Sequence, residues 1–255
     1  MRFFTSDGLR LAFLDVAPTG PDRGEPIVLV HGFASNHAVN WLNTLWVKTL
    51  AHDGRRVIAL DNRGHGQSER AYDPAAYASP VMAEDVRRLM DHLEIGRADV
   101  MGYSMGARIT AHLALAHPER VRSALLGGLG IKLIDGVGLP LGIADAMEAA
   151  SADELTDPMQ RMFRLFAEAT KSDLKAMAAC IRGSRQTLSE AQVRAIDVPV
   201  LVSVGTADTV AGPAAPLASL LPRGEALDIP GRDHNLAVGD RVHKQGVVDF
   251  LGRRP

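Results

Sequence analysis

Cysteine is almost absent from this chain: Cys180 is the one thiol in 255 residues. A lone thiol excludes an intrachain disulfide framework and fits a reducing compartment. Its apolar setting, Met177-Ala178-Ala179-Cys180-Ile181, marks it as a small buried hydrophobe. An excess of either charge is also missing. The 28 Lys and Arg against 30 Asp and Glu leave a net charge of -2, and no stripe interleaves basic with aromatic residues. Nucleic acid and anionic membrane surfaces are therefore not expected as partners. No apolar run approaches the roughly 20 residues of a membrane span. The opening Met1-Arg2-Phe3-Phe4-Thr5-Ser6-Asp7-Gly8 lacks the apolar stretch of roughly 7–15 residues that a secretory signal needs, so a cytoplasmic location is expected. Metal motifs are absent: there is no His-Glu-x-x-His and no cysteine cluster. Gly127-Gly128-Leu129-Gly130-Ile131-Lys132 lacks the Gly-Lys-Ser/Thr ending of a phosphate loop. Repeats and low-complexity linkers are missing as well.

What is present is an alternation of strands and helices in a chain of 46% apolar content. Strands are expected at Leu9–Val16, Pro26–Val30, Arg56–Leu60, Asp99–Met101, Arg122–Leu126, Val198–Val204 and Glu225–Ile229. Asp7-Gly8 reads as the turn of an opening hairpin. Ile27-Val28-Leu29-Val30 and Val200-Leu201-Val202-Ser203-Val204 are near-continuous apolar runs, the pattern of parallel strands covered on both faces. Helices are expected over Trp41–His52, Ser79–Leu93 and Ser104–His117. Between about Gly130 and Ala195 the strands stop. Helical pieces at Ile143–Ser151, Asp157–Thr170 and Ser172–Ile181 fill roughly 65 residues, far more than a crossover needs. In the second piece Met159, Met162, Phe163 and Phe166 share a face. The methionines of this region, Met147, Met159, Met162 and Met177, read first as packing.

The most informative segment is Gly102-Tyr103-Ser104-Met105-Gly106, set between a short apolar strand and a helix. A strained strand-to-helix turn of this type exposes a serine hydroxyl, and the small flanking residues let the backbone fold tightly around it. Free N–H groups at the helix start favour developing negative charge. A serine is a weak nucleophile until a base, itself oriented by a third group, takes its proton. Asp208 in Gly205-Thr206-Ala207-Asp208 and His234 in Gly231-Arg232-Asp233-His234 supply both, each in a loop just past a strand. All three residues thus fall on the carboxyl edge of the expected sheet, where open parallel sheets bind ligands. After the strand ending at Val30 comes His31-Gly32-Phe33. The backbone N–H groups of Phe33 and Met105 are placed to form an oxyanion hole, and His31 becomes a structural residue of the turn.

With Asp61-Asn62-Arg63-Gly64-His65-Gly66-Gln67-Ser68 added, these motifs resemble the α/β-hydrolase fold superfamily in family order, with a short helical cap. The resemblance implies a mostly parallel eight-stranded sheet, flanked by helices, with its second strand antiparallel and the cap inserted after strand 6. Residues 1–129 and 196–255 are then the core and 130–195 the cap. It implies Ser104 as nucleophile, His234 as base and Asp208 as its orienter, and no metal or organic cofactor. Among rival histidines (His31, His112, His117 and His243 included), His65 lies at the same edge and is the strongest; chain order favours His234. Asp135 after the sixth strand and Asp228 rival Asp208, while Asp233 is too close in sequence to reach back to His234; Asp208 is favoured. The expected activity is hydrolysis of small carboxylic esters, with a small-molecule ester as partner. A lactone hydrolase, or a carbon–carbon bond hydrolase with Arg161, Arg164, Arg182 or Arg185 holding a substrate carboxylate, is the alternative within the fold. A weakly catalytic, receptor-like binding protein is the alternative outside enzymology.

Overall fold

The computed structural model describes residues 1–136 and 139–254. β1 (Arg2–Ser6) and β2 (Leu9–Val16) form the opening hairpin. Its turn residues Asp7 (φ 51°) and Gly8 (φ 79°) both adopt the left-handed conformation that matches the twist of the flanking strands. β3 (Ile27–Val30), β4 (Val57–Leu60), β5 (Ala98–Tyr103), β6 (Val121–Gly127), β7 (Val200–Gly205) and β8 (Gly224–Ile229) complete one eight-stranded sheet in the order β1-β2-β4-β3-β5-β6-β7-β8. β2 runs antiparallel to β1 and β4, and every other pairing is parallel. The chain leaves β3 toward β4 and returns to β5 on the other side of β3. This reversal is the topological switch point of the sheet, the place where a crevice opens at the carboxyl edge. Val30 is in register with Gly102, so the turns after β3 and β5 are neighbours.

Successive residues of a strand face opposite layers, and the core divides accordingly. Val28, Val30 and Val100 face the layer that holds α2 (Ser79–His92) and α3 (Met105–Ala116). Ile27, Leu29 and Met101 face Trp41, Trp46 and Phe250, in the layer of α1 (Trp46–His52). Full burial of each such side chain contributes about 1.5–3 kcal/mol, which explains why the central strands read as unbroken apolar runs.

One expected helix is broken. Trp41–His52 is a π-helical turn at Ala38–Leu42 followed by α1, with Leu45 at φ 67° between them. An unbroken helix would set positions 41 and 46 about 140° apart around its axis. The break instead turns both tryptophans into one buried layer, their rings in edge contact at 6.5 Å. Tertiary packing has overridden local periodicity there.

Between β6 and β7 the described residues form α4 (Lys132–Asp135), α5 (Gly142–Glu148), α6 (Pro158–Ala169), α7 (Leu174–Gly183) and α8 (Glu190–Arg194), with no strand among them. Their starts are chemically marked. The Asp157 and Asp173 side chains accept the N–H groups of Gln160 and Ala176, and Ser189 with Gln192 makes a reciprocal capping box. The chain then closes with α9 (Ala214–Leu220) and α10 (Arg241–Arg253). Among the described residues no helix is long and apolar enough to cross a membrane.

Candidate active site

β5 runs to Tyr103, further than the expected Met101, and α3 begins at Met105. Ser104 is the single residue between them, at φ 55° and ψ -113°. A non-glycine residue held there stores about 1–3 kcal/mol of backbone strain. The surroundings enforce it. The Ser104 N–H donates to the Gly127 carbonyl at 2.7 Å. A Cβ on Gly102 would drive into the Gly106 carbonyl, and one on Gly106 would drive into the Val30 carbonyl at the end of β3. Both glycines of the motif are therefore required by close approach of backbone to backbone.

The loops after β7 and β8 bring Asp208 and His234 to this serine. His234 Nε2 lies 3.0 Å from Ser104 Oγ, and His234 Nδ1 lies 2.7 Å from Asp208 Oδ2. With the carboxylate beside it, Nδ1 carries the proton and Nε2 is free to accept the serine O–H. The Asp208 carboxylate is fully buried. Burial pushes its pKa up, but the His234 hydrogen bond and charge and the Val210 and Ala211 N–H groups outweigh that, so the net shift is downward. It stays ionised.

The third loop is the His31-Gly32-Phe33 turn. A Cβ on Gly32 would sit 3.4 Å from Ser104 Cβ, so the turn passes directly beside the elbow. Met105 opens α3 and its N–H has no intrahelical acceptor. Neither it nor the Phe33 N–H is engaged by an acceptor among the described residues. His31 is structural, as expected: Nδ1 donates to the Gly32 carbonyl, Nε2 accepts the Asn62 N–H, and burial lowers its pKa. The motif from Asp61 to Ser68 braces the same turn from behind. Asp61 accepts the N–H groups of His37 and Gln67 and contacts the His37 ring at 2.9 Å.

The rivals lie elsewhere. His65 is buried with Nδ1 donating to the Arg63 carbonyl, and burial drives its pKa down to about 3. Asp135 is exposed on α4. Asp233 accepts the N–H groups of Asn235 and Leu236, which shapes the loop that carries His234. Three contributors escaped the sequence reading. Tyr103 donates its hydroxyl to the His234 carbonyl at 2.6 Å and fixes that loop. Asn40 accepts the Gly32 N–H at 2.8 Å. Arg108, buried on α3, donates to carbonyls at both ends of the helical segment. A formally charged residue within the largely apolar stretch Ala107 to Leu115 was the signal that could have found it.

Two cavities meet at Ser104. The outer one, about 400 Å³, is lined by His234, Asn235, Phe33, Phe163 and Phe166. The inner one, about 40 Å³, is lined by Met105, Arg108, Leu129, Ile181 and Ser184. The helical segment covers the site through α6, whose Phe163 ring meets Phe33 at 6.1 Å, and through Thr170, which donates to the Ala34 carbonyl. Met147 and Met177 are fully packed, whereas Met162, expected on the apolar face with Phe163 and Phe166, is 41% exposed. Arg161, Arg164 and Arg182 pair with Asp153, Glu168 and Glu148, Arg185 donates to the Leu139 carbonyl, and none of the four lines either cavity. Cys180 is buried 3.6 Å from the Met105 sulfur, and burial pushes its thiol up to about 12.

A family profile described as alpha/beta hydrolase fold matches residues 25–173. The chain belongs to the α/β-hydrolase fold family. It is 30% identical to a non-heme chloroperoxidase of Streptomyces lividans, with 88% of this chain and 86% of that protein aligned. It is 37% identical over 107 residues to a serine hydrolase-like protein of Danio rerio, covering 42% of this chain and 32% of that protein. The chain spans only 32% to 41% of the length of three such curated relatives. Among solved structures, a hydrolase from Pseudomonas aeruginosa superimposes with a TM-score of 0.78 at 26% identity, over 98% of each chain.

Proposed function

We propose that this protein is a serine hydrolase of small carboxylic esters, with Ser104 as nucleophile, His234 as general base and Asp208 as the group that orients it. The observation that carries the reading is the unbroken hydrogen-bond chain from Asp208 through both nitrogens of His234 to Ser104 Oγ. In this mechanism Oγ attacks the ester carbonyl while Nε2 takes its proton. The Phe33 and Met105 amides hold the oxyanion. His234 then gives the proton to the departing alkoxide, leaving an acyl group on Ser104. Water, deprotonated by the same imidazole, releases the acid. Lactones are internal esters and fit the same steps. Residues 130–195 act as the cap that encloses the substrate, and the lone buried thiol supports a reducing, cytoplasmic setting.

The test is turnover of 4-nitrophenyl acetate by Ser104→Ala, together with labelling of the wild type by a fluorophosphonate. We expect labelling at Ser104 and a loss of about 10⁴-fold or more in kcat for the folded variant. Unchanged turnover would refute the assignment. An inert Ser104 in a protein that binds small molecules tightly would favour the receptor-like reading.

A further inference from the structure

Among the described residues, the nearly fully buried arginines are Arg55, Arg63, Arg108 and Arg164. Three of them meet a carboxylate: Arg55 reaches Asp99, Arg63 reaches Asp85 and Arg164 reaches Glu168. Arg108 meets none among the described residues. Its recorded partners are carbonyl oxygens, of Gln186 and Lys132 at 2.9 Å and of Leu133 at 3.3 Å. The charge that acts on it is Arg185, of the same sign, and with burial as the larger cause its pKa falls to about 10. Burying a guanidinium without a counter-charge is costly, and tying down carbonyls requires donors, not a charge. The positive charge is thus unexplained by the protein alone.

Arg108 lies one helical turn beyond Ser104 and lines the inner cavity beside it. His234 lines the outer cavity and not the inner one. The alcohol must leave where His234 can protonate it, so the outer cavity takes the alcohol and the inner one the acyl chain. On the same measure the inner cavity is about 40 Å³ against about 400 Å³ for the outer one, so the acyl side is much the tighter and suits a short chain. We propose that Arg108 recognises a carboxylate at the far end of that chain, so that the preferred substrates are half-esters of short dicarboxylic acids of succinate size. This rests on the serine-hydrolase reading and adds the substrate class to it. The reaction balances as half-ester plus water giving alcohol, dicarboxylate and one proton. The bond between acyl carbon and alkoxy oxygen breaks, and water supplies the new acyl oxygen. The substrate carboxylate supplies the missing counter-charge to Arg108, and a neutral acyl chain does not.

The experiment compares monoethyl succinate with ethyl levulinate, in which a methyl ketone replaces the carboxylate at the same chain length, in a pH-stat. A charge-assisted contact predicts a kcat/KM about 10–100-fold higher for the acid ester in the wild type. That ratio should collapse toward one in Arg108→Gln, recover in part in Arg108→Lys, and stay at the wild-type value in Arg194→Gln, a change at an exposed arginine. A wild-type ratio of one or less, or an unchanged ratio in Arg108→Gln, overturns the proposal. Should Arg108→Gln fail to fold, Ser104→Ala decides. Sodium succinate should raise its Tm above sodium chloride at equal ionic strength, and no difference overturns the proposal. Fluorophosphonate labelling separates the two claims. A labelled Ser104 without preference for the acid ester sinks the Arg108 assignment alone. An unlabelled Ser104 with succinate binding sinks the hydrolase reading alone.

Discussion

The loops at the carboxyl edge of the sheet and the helical segment above them border the same serine, yet different physics holds each in place. The loops are locked by backbone geometry: Ser104 at positive φ, Gly102 and Gly106 in close approach to other backbone, Gly32 wedged beside Ser104. The segment is an assembly of short amphipathic helices, tied to the core near the site by Thr170 on Ala34, by Arg108 on three carbonyls and by ring contact between Phe163 and Phe33. Groups that must sit within a fraction of an ångström are carried on the rigid edge. Side chains that shape the cavities are carried on a layer that can be repacked without disturbing them. On the proposed mechanism, chemistry and selectivity are thereby separable.

Three changes test that separation. The largest effect is expected at the edge. Asp208→Asn puts an amide N–H against His234 Nδ1 and holds the imidazole in the wrong tautomer, so kcat on 4-nitrophenyl acetate should fall by about 10⁴-fold, while Asp135→Asn leaves it unchanged. Equal effects at the two aspartates would contradict the assignment of roles.

Acid should attack the edge next. None of the nine histidines lies between residues 130 and 195, and three of them are fully buried outside it: His31, His65 and His243. Burial lowers the folded-state pKa of each, to about 3 for His65 and about 4 for His243, against 6.5 in the unfolded chain. Below pH 6.5 the unfolded chain therefore binds protons that the folded one refuses. Each such group removes about 1.4 kcal/mol of stability per pH unit until its folded pKa is reached. Urea midpoints measured between pH 7 and pH 5 should fall steadily. A flat profile would mean that these rings are solvated or paired in solution.

The smallest effect belongs to the segment. Phe163→Ala enlarges the outer cavity and should raise KM for aryl esters by about 10-fold, from the loss of apolar contact, with little change in kcat or in the rate of fluorophosphonate labelling. A large loss of kcat would show that the segment positions the reacting groups as well as enclosing them.

Much of the edge was legible because its constraints are local. A strand, a positive-φ serine and two crowded glycines must follow one another in the chain, and that order is a motif. That Asp208 and His234 lie at the same edge was legible for the same reason, each being one loop past a strand. The break between Trp41 and Trp46 was not legible, since it serves the burial of two indoles against a distant layer. Tyr103 occupies a motif position that says nothing of its hydroxyl, whose partner lies 131 residues away. Met162 shares a helical face with Phe163 and Phe166 but finds no surface to cover it.

Residue order alone determined the sheet and the turn geometry around Ser104, along with the identity of the groups arrayed along the carboxyl edge, because backbone sterics and apolar periodicity act between near neighbours. Which arginine lines the inner cavity, which rings roof the cleft and how large each cavity is were decided only when distant segments packed. Those properties are spaces left between elements, and no single stretch of chain encodes a space.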